Sequence, residues 1–118
     1  MTAFTLDPAR TPAQAVRLDA FIIPEAARQP FLARMATNLA FIRTLPGFQG
    51  HVVLEKQRGE GTYNLVTLAT WDSQAALDAA GREVRAYYQR IGFDLPGALK
   101  AWGVALVRGD YDAPAGLQ

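Results

Sequence analysis

Apolar and polar residues recur with two different periods along this chain, and these periods predict its elements. Between Ala15 and Ile23 every second position from 16 to 22 is apolar, which is the period of a β-strand. From Ala27 to Leu45 they recur at intervals of three and four, as in an amphipathic helix. We place the start of this helix near Ala27 because Pro30 is tolerated only in a first turn, where amide donors have no internal partner.

The middle of the chain has the pattern of a β-hairpin followed by a second helix. Strands are predicted over residues 51–57 and 62–71, and residues 58–61 supply the glycines of a tight turn between them. Residues 72–73 carry the side-chain oxygens that cap helices. A second helix is therefore predicted from this point to Ile91, where its apolar spacing ends.

A connection with one helical turn at 96–99 and a final strand over 101–108 complete the series. The order βαββαβ predicts an α+β, ferredoxin-like fold, in which a four-stranded antiparallel sheet carries two helices on one face. This domain is predicted to span 15–110. Prolines, alanines and polar residues predict a flexible N-terminal arm over 1–14 and a flexible tail over 111–118.

The predicted strands are apolar on both faces, for example at Val52 and Val53 or at Leu65 and Val66. Helices can cover only one face of the sheet. A second copy that packs sheet against sheet is the simplest cover for the other face in a chain this short. We therefore predict a homodimer.

Composition excludes several classes of function. The chain has 118 residues, half of them apolar, which suits one domain with a real core. Its net charge is +1 and no basic block occurs, so nucleic acid is not an expected partner. It has no cysteine for thiol catalysis or disulfides. No apolar run approaches the roughly 20 residues of a membrane span, and no secretory signal pattern opens the chain, so a cytoplasmic location is expected.

Two residues have several possible roles at this point. His51 is the single histidine, and on a strand it would lie roughly 13 Å from Glu55, too far for both to bind one metal ion. It is either a structural residue at a strand start or a group that transfers a proton. Trp71 either packs under the start of the second helix or binds an aromatic ligand.

A ligand pocket is predicted between the sheet and the helices, although the residues that would line it are also core residues. Its predicted lining from the residue pattern is Phe31, Met35, Leu39, Tyr63, Asn64, Tyr88 and Trp102.

Two stretches are similar to one known family. The segment 31–51, "FLARMATNLAFIRTLPGFQGH", and the hairpin 63–77, "YNLVTLATWDSQAAL", resemble the antibiotic biosynthesis monooxygenase family of the dimeric α+β barrel superfamily. The resemblance covers 16–108, and its most specific parts are "PGF" at 46–48 and "TWDSQAAL" at 70–77. It implies a homodimer whose sheets pair into a barrel, with a ligand cavity in each subunit.

The resemblance also implies a chemistry. Some relatives oxidise polycyclic phenols to quinones with molecular oxygen and no metal, flavin or haem, so no cofactor is expected. Trp71 matches a tryptophan of these oxidases, Thr67 stands where they have an asparagine, and Arg90 is a loose counterpart of an arginine late in their second helix. The haem-degrading relatives need a histidine on that helix, which this chain lacks.

The predicted function is that of a cofactor-independent monooxygenase or oxidase. It would convert a reduced planar aromatic of the anthrone, naphthol or hydroquinone type to a quinone with O₂. Trp71 and His51 are its predicted catalytic residues, with Glu55 as an alternative proton acceptor, and Thr67 and Arg90 join the predicted pocket lining. Two alternatives stay open: a noncatalytic dimer that binds a small ligand, and an interaction module with a solid core.

Overall fold

The computed structural model describes residues 4–10, 13–114 and 116–118. These residues form β1 (Ala15–Ile22), α1 (Arg28–Ile42), β2 (Phe48–Glu55), β3 (Leu65–Trp71), α2 (Gln74–Ile91), α3 (Leu95–Trp102) and β4 (Ala105–Tyr111). The four strands make one antiparallel sheet in the order β2-β3-β1-β4. The predicted ferredoxin-like α+β fold is confirmed. No helix in the described ranges is long and apolar enough to cross a bilayer.

The predicted start of the last strand, at residue 101, is wrong, because the helical turn predicted at 96–99 is a complete third α-helix that runs through Trp102 and β4 begins only at Ala105. The Asp94 carboxylate caps α3 by accepting a hydrogen bond from the Gly97 amide at 3.2 Å. Gly103 ends α3 in the left-handed conformation, with φ at 69°. A short apolar run does not distinguish helix from strand by periodicity alone, so these two caps decide the boundary.

Other boundaries shift by a few residues. The helix α1 ends at Ile42 rather than Leu45, and β3 begins at Leu65 rather than Thr62, so the loop between β2 and β3 is longer than the predicted turn. The predicted cap of α2 is formed by Ser73, whose hydroxyl accepts a hydrogen bond from the amide of the third helical residue at 3.0 Å.

The two faces of the sheet have different cover. All three helices pack on one face, where buried side chains of the strands meet those of the helices in two clusters centred on Phe31 and Leu77. We call the opposite side the outer face. One row of register partners there is Leu54, Val66, Ala20 and Val107. Leu54 is 49% exposed and Val107 53% exposed, so this apolar surface has solvent-facing side chains in the single chain.

The described part of the predicted arm lies against the domain. Gln14 is buried, and its amide donates hydrogen bonds to the Thr5 carbonyl at 3.0 Å and to the Gln49 side chain. Arg10 forms an ion pair with Asp72. Residues 1–3 and 11–12 of the predicted arm, and residue 115 of the predicted tail, lie outside the described residues. The strand β4 continues one residue into the predicted tail, to its end at 111.

The "PGF" turn packs directly on the start of α2. Gly47 has φ at +84°, and its carbonyl accepts a hydrogen bond from the Asp72 amide at 2.7 Å. A Cβ atom at this position would stand 2.5 Å from the Cβ atom of Ala76. The turn therefore needs glycine both for its conformation and for the close approach of the helix.

Gly47→Ala should lower the free energy of unfolding by about 2–4 kcal/mol, through backbone strain and overlap with Ala76. Gly59→Ala is the matched control, because Gly59 also has positive φ, at 109°, but no atom lies within 4 Å of an added Cβ. Gly59→Ala should lower the free energy of unfolding by about 1–2 kcal/mol. Urea unfolding of both variants measures the difference, and equal losses would contradict close packing at this turn.

Candidate functional site

A cavity of about 110 Å³ lies between the helix-covered face of the sheet and the three helices. Most of its wall consists of aromatic and aliphatic side chains from α1, α3 and the strands. The volume is close to that of the roughly 150 Å³ apolar cavity that accepts a benzene molecule. Six polar or ionisable side chains interrupt this apolar wall: Asp19, Arg34, Asn38, Thr67, Tyr88 and Arg108.

Three of these residues form a row across the sheet. Thr67 on β3 and Arg108 on β4 are the register partners of Asp19 on β1, and all three side chains line the cavity. Arg108 donates two hydrogen bonds to the Asp19 carboxylate, from Nε at 2.7 Å and from Nη2 at 3.0 Å. The Asp19 side chain is only 14% exposed, whereas that of Arg108 is 44% exposed. The pair therefore extends from the cavity floor toward solvent.

The electrostatics of this row keep the Arg108 guanidinium and the neighbouring Tyr88 hydroxyl protonated. The hydrogen bond to Asp19 is the largest cause that raises the pKa of Arg108, so the guanidinium stays charged. Burial raises the pKa of Tyr88, and the nearby guanidiniums of Arg108 and Arg34 oppose that rise only in part. The Tyr88 hydroxyl therefore keeps its proton at neutral pH and is available as a hydrogen-bond donor.

The helix α1 brings two more polar groups into the cavity, one turn apart. The Arg34 guanidinium lies over the Phe93 ring, with its central carbon 4.1 Å from the ring centroid. Its Nε and Nη2 atoms are buried and have no hydrogen-bond partner among the described residues. The same holds for Oδ1 of Asn38. Unpaired buried polar atoms are costly, so the wall of this cavity holds three polar atoms whose hydrogen-bonding capacity a polar ligand group can satisfy.

The structure brings together six of the nine predicted lining residues. They come from α1, β3, α2 and α3, and they are Phe31, Met35, Leu39, Thr67, Tyr88 and Trp102.

The other three predicted lining residues are not part of the cavity wall. Tyr63 lies in the loop before β3 and is 40% exposed. Asn64 connects two strand ends, since its side chain accepts a hydrogen bond from the Ile23 amide at 2.9 Å and donates one to the Ile23 carbonyl at 2.8 Å. Arg90 is exposed on α2, with its guanidinium carbon 5.8 Å from the Tyr87 ring centroid.

The two predicted catalytic residues also lie outside the cavity lining. Trp71 is 3% exposed and packs edge-to-face on Phe48, with ring centroids 5.3 Å apart, in the cluster around Leu77. His51 lies on β2, and its Nδ1 atom is buried without a partner among the described residues. The alternative acceptor Glu55 is exposed and accepts two hydrogen bonds from Arg28, at 2.8 and 2.9 Å.

Asp19, Arg34 and Arg108 are cavity residues that sequence reasoning missed. One sequence pattern could have identified Asp19 and Arg108. The pattern Arg-x-Asp occurs in β1 at 17–19 and again in β4 at 108–110. Antiparallel pairing of these two strands places each arginine opposite an aspartate, which gives the Asp19–Arg108 pair and a second bidentate pair between Arg17 and Asp110.

Across 4–10, 13–114 and 116–118, no group of three or more histidine, aspartate or glutamate side chains is arranged to hold a metal ion.

Comparisons with solved structures extend over most of the chain. A candidate monooxygenase from Shewanella loihica PV-4 superposes with a TM-score of 0.68 at 18% identity, over 86% of this chain and 95% of that one. SnoaB, a cofactor-independent oxygenase from Streptomyces nogalater, superposes with a TM-score of 0.61 at 24% identity, over 89% of this chain and 97% of that one. A dimeric ferredoxin-like protein of unknown function from Thermobifida fusca superposes with a TM-score of 0.62 at 12% identity, over 92% of this chain and 98% of that one.

These similarities establish the fold, and they confirm the predicted resemblance at that level. No protein-family model matches the sequence, and a search of curated proteins finds no match.

The partly buried imidazole of His51 should make the stability of the protein depend on pH. Burial, with a smaller contribution from the Arg43 guanidinium, lowers the pKa of His51 below its usual value. The unfolded chain then binds more protons than the folded chain near pH 6.5, so stability falls as pH is lowered through roughly that value. We expect the free energy of unfolding to rise from about pH 5.5 to about pH 7.5.

His51→Gln should flatten this rise, because the chain has no other histidine. Urea unfolding at the two pH values, for wild type and variant, measures the effect. An identical pH dependence in both proteins would contradict a neutral, partly buried His51.

Proposed function

We propose that this chain is a cofactor-independent oxygenase or oxidase that converts a small reduced aromatic to a quinone with O₂. The observation that carries the proposal is the apolar cavity whose floor holds the Asp19–Arg108 pair below the protonated Tyr88. A phenol or hydroquinone carries its own electrons for O₂. The protein then has to bind it, accept its proton and stabilise the resulting anion.

We assign these tasks to the polar row. Asp19 accepts the proton of a substrate hydroxyl, because each carboxylate oxygen that Arg108 contacts has a further lone pair. Arg108 and Tyr88 are the donors for the phenolate oxygen. A hydroquinone transfers two electrons and two protons to O₂ and yields a quinone and hydrogen peroxide. A naphthol takes one oxygen atom into the ring, and the other leaves as water.

The size of the cavity favours one or two rings. Its volume of about 110 Å³ is close to what a single ring needs. A three-ring anthrone would require side chains on α1 and α3 to move. We therefore place hydroquinones and naphthols ahead of anthrones as substrates.

The likeness to SnoaB, described as a cofactor-independent oxygenase, supports this class of reaction. The predicted catalytic roles of Trp71 and His51 remain proposals. Neither residue lines the cavity, so neither would contact a substrate that lies wholly within it. We propose that Trp71 acts through packing, by fixing the junction of β3 and α2. His51 would act only on a substrate that extends beyond the cavity.

A noncatalytic ligand-binding dimer is the second candidate, and one observation favours it. Both oxygens of the Asp19 carboxylate already accept a hydrogen bond from Arg108, so fewer lone pairs of Asp19 are free for a substrate hydroxyl. Such a protein would bind the same aromatics without consuming oxygen.

We further propose that two copies pair through the outer face. Its apolar row includes Leu54 and Val107, each about half exposed in the single chain. An exposed apolar sheet of this extent is typical of an interface. The ferredoxin-like structure from Thermobifida fusca is described as dimeric, which supports the pairing of two copies.

Asp19→Asn should lower kcat/KM for 1,4-dihydroxynaphthalene by about 100-fold or more, as expected for loss of a general base. Asp110→Asn is the matched control, because it breaks the neighbouring Arg17–Asp110 pair of the same two strands outside the cavity. That control should change kcat/KM by less than about threefold. Oxygen uptake measures both rates, and circular dichroism checks the fold. Equal losses in the two variants would mean that Asp19 is only structural.

Val107→Glu should convert a dimer to a monomer, since it places a charge within the proposed interface. Ile91→Glu is the control, because Ile91 is 45% exposed at the end of α2, away from the outer face. Light scattering coupled to size exclusion gives the mass of each variant. A monomeric wild type, or a Val107→Glu variant that stays dimeric, would contradict the proposed interface.

A further inference from the structure

Arg34 brings a positive charge into the cavity that no carboxylate balances among the described residues. The charged groups that line the cavity are Asp19, Arg34 and Arg108. Arg108 already neutralises Asp19 through two hydrogen bonds. The Arg34 guanidinium has no ion pair within the described part of the chain, so the cavity has a surplus charge of one.

The unpaired atoms of Arg34 are those that bind carboxylates elsewhere in this molecule. Arg17, Arg28 and Arg108 each bind a carboxylate through Nε and Nη2, at distances from 2.7 to 3.2 Å. In Arg34 the same two atoms are buried and lack a partner in the described residues. They form the planar fork that matches a carboxylate with two parallel hydrogen bonds.

The position of Arg34 is fixed before any ligand binds. Its guanidinium is stacked on Phe93, at 4.1 Å from the ring centroid, so little side-chain freedom is left to lose. Asn38 lies one turn further along α1, and its unpartnered Oδ1 atom can accept a hydrogen bond from a ligand hydroxyl. The two groups together present a fork for an anion and an acceptor for a hydroxyl beside an apolar wall.

We propose that the ligand of this cavity is an aromatic carboxylate, bound through its carboxylate by the Nε–Nη2 fork of Arg34 and through a hydroxyl by Asn38. This inference rests on the proposed function, because it names the substrate class of the same cavity. A surplus of one positive charge fits a monoanion rather than a phosphate dianion.

Binding of a matched pair of probes tests the proposal without any turnover. The probes are 2-naphthoate and its neutral counterpart 2-naphthamide, which have the same rings. Wild type should bind 2-naphthoate at least about tenfold more tightly than 2-naphthamide, by fluorescence titration. Arg34→Gln should abolish this preference by weakening 2-naphthoate alone.

One further variant separates the effect of the Arg34 charge from that of its planar fork, and a second variant is a control. Arg34→Lys keeps the charge without the fork and should recover only part of the preference. Arg82→Gln removes an exposed arginine of α2 that does not line the cavity, and it should keep the full preference. The proposal is overturned if wild type binds both probes equally, if it binds neither, or if Arg34→Gln retains the preference.

This outcome is independent of catalysis. A carboxylate preference that depends on Arg34, in a protein that consumes no oxygen, would overturn the proposed oxidase function and leave the present inference intact. Oxygen uptake with neutral and carboxylated hydroquinones at equal kcat/KM would support the oxidase and overturn the role of Arg34.

Discussion

The ion pair between Asp19 and Arg108 is the interaction on which the cavity depends. Taking two charges out of water is costly, and a buried pair is tolerated only with good geometry and with its remaining hydrogen-bonding capacity satisfied. Here the two hydrogen bonds are short, at 2.7 and 3.0 Å, and the arginine stays partly open to solvent. The charged pair gives the cavity a polar floor beneath the helices.

The two faces of the sheet carry different kinds of side chain. On the helix-covered side, alternate residues of β1 and β4 are charged and pair across the strands, while aromatic and aliphatic side chains from the helices surround them. On the outer face the intervening residues, such as Ala20 and Val107, are apolar and have no helix above them. Because side chains alternate along each strand, one sequence period supplies both a polar cavity floor and an apolar surface that a second copy could cover.

The fold could be predicted from the sequence because its strongest signals are local. The helical spacing of α1, the Ser73 cap and the Pro-Gly turn each determine an element within a few residues. The third helix was predicted only as a single turn because the segment around Trp102 is short and mostly apolar, so its end depends on the left-handed Gly103.

The site was less predictable because it is made of long-range pairs. Asp19 and Arg108 are separated by 89 positions and become neighbours only through the order of the strands. Asn64 looked like a ligand-binding residue, and its side chain is instead used by the Ile23 backbone. Arg34 lies on a helix whose pattern shows only that the helix is amphipathic, and its unpaired atoms become visible once Phe93 is packed beneath it.

Oxygen uptake by purified, metal-stripped wild-type protein is the most direct test of the central claim, that this cavity oxidises a small aromatic without a cofactor. An electrode would follow a panel graded by ring number, from hydroquinones through naphthols to anthrones, against heat-denatured protein as the blank. We predict saturable, protein-dependent uptake that is fastest for one- and two-ring substrates. Rates equal to the blank across the whole panel would contradict it.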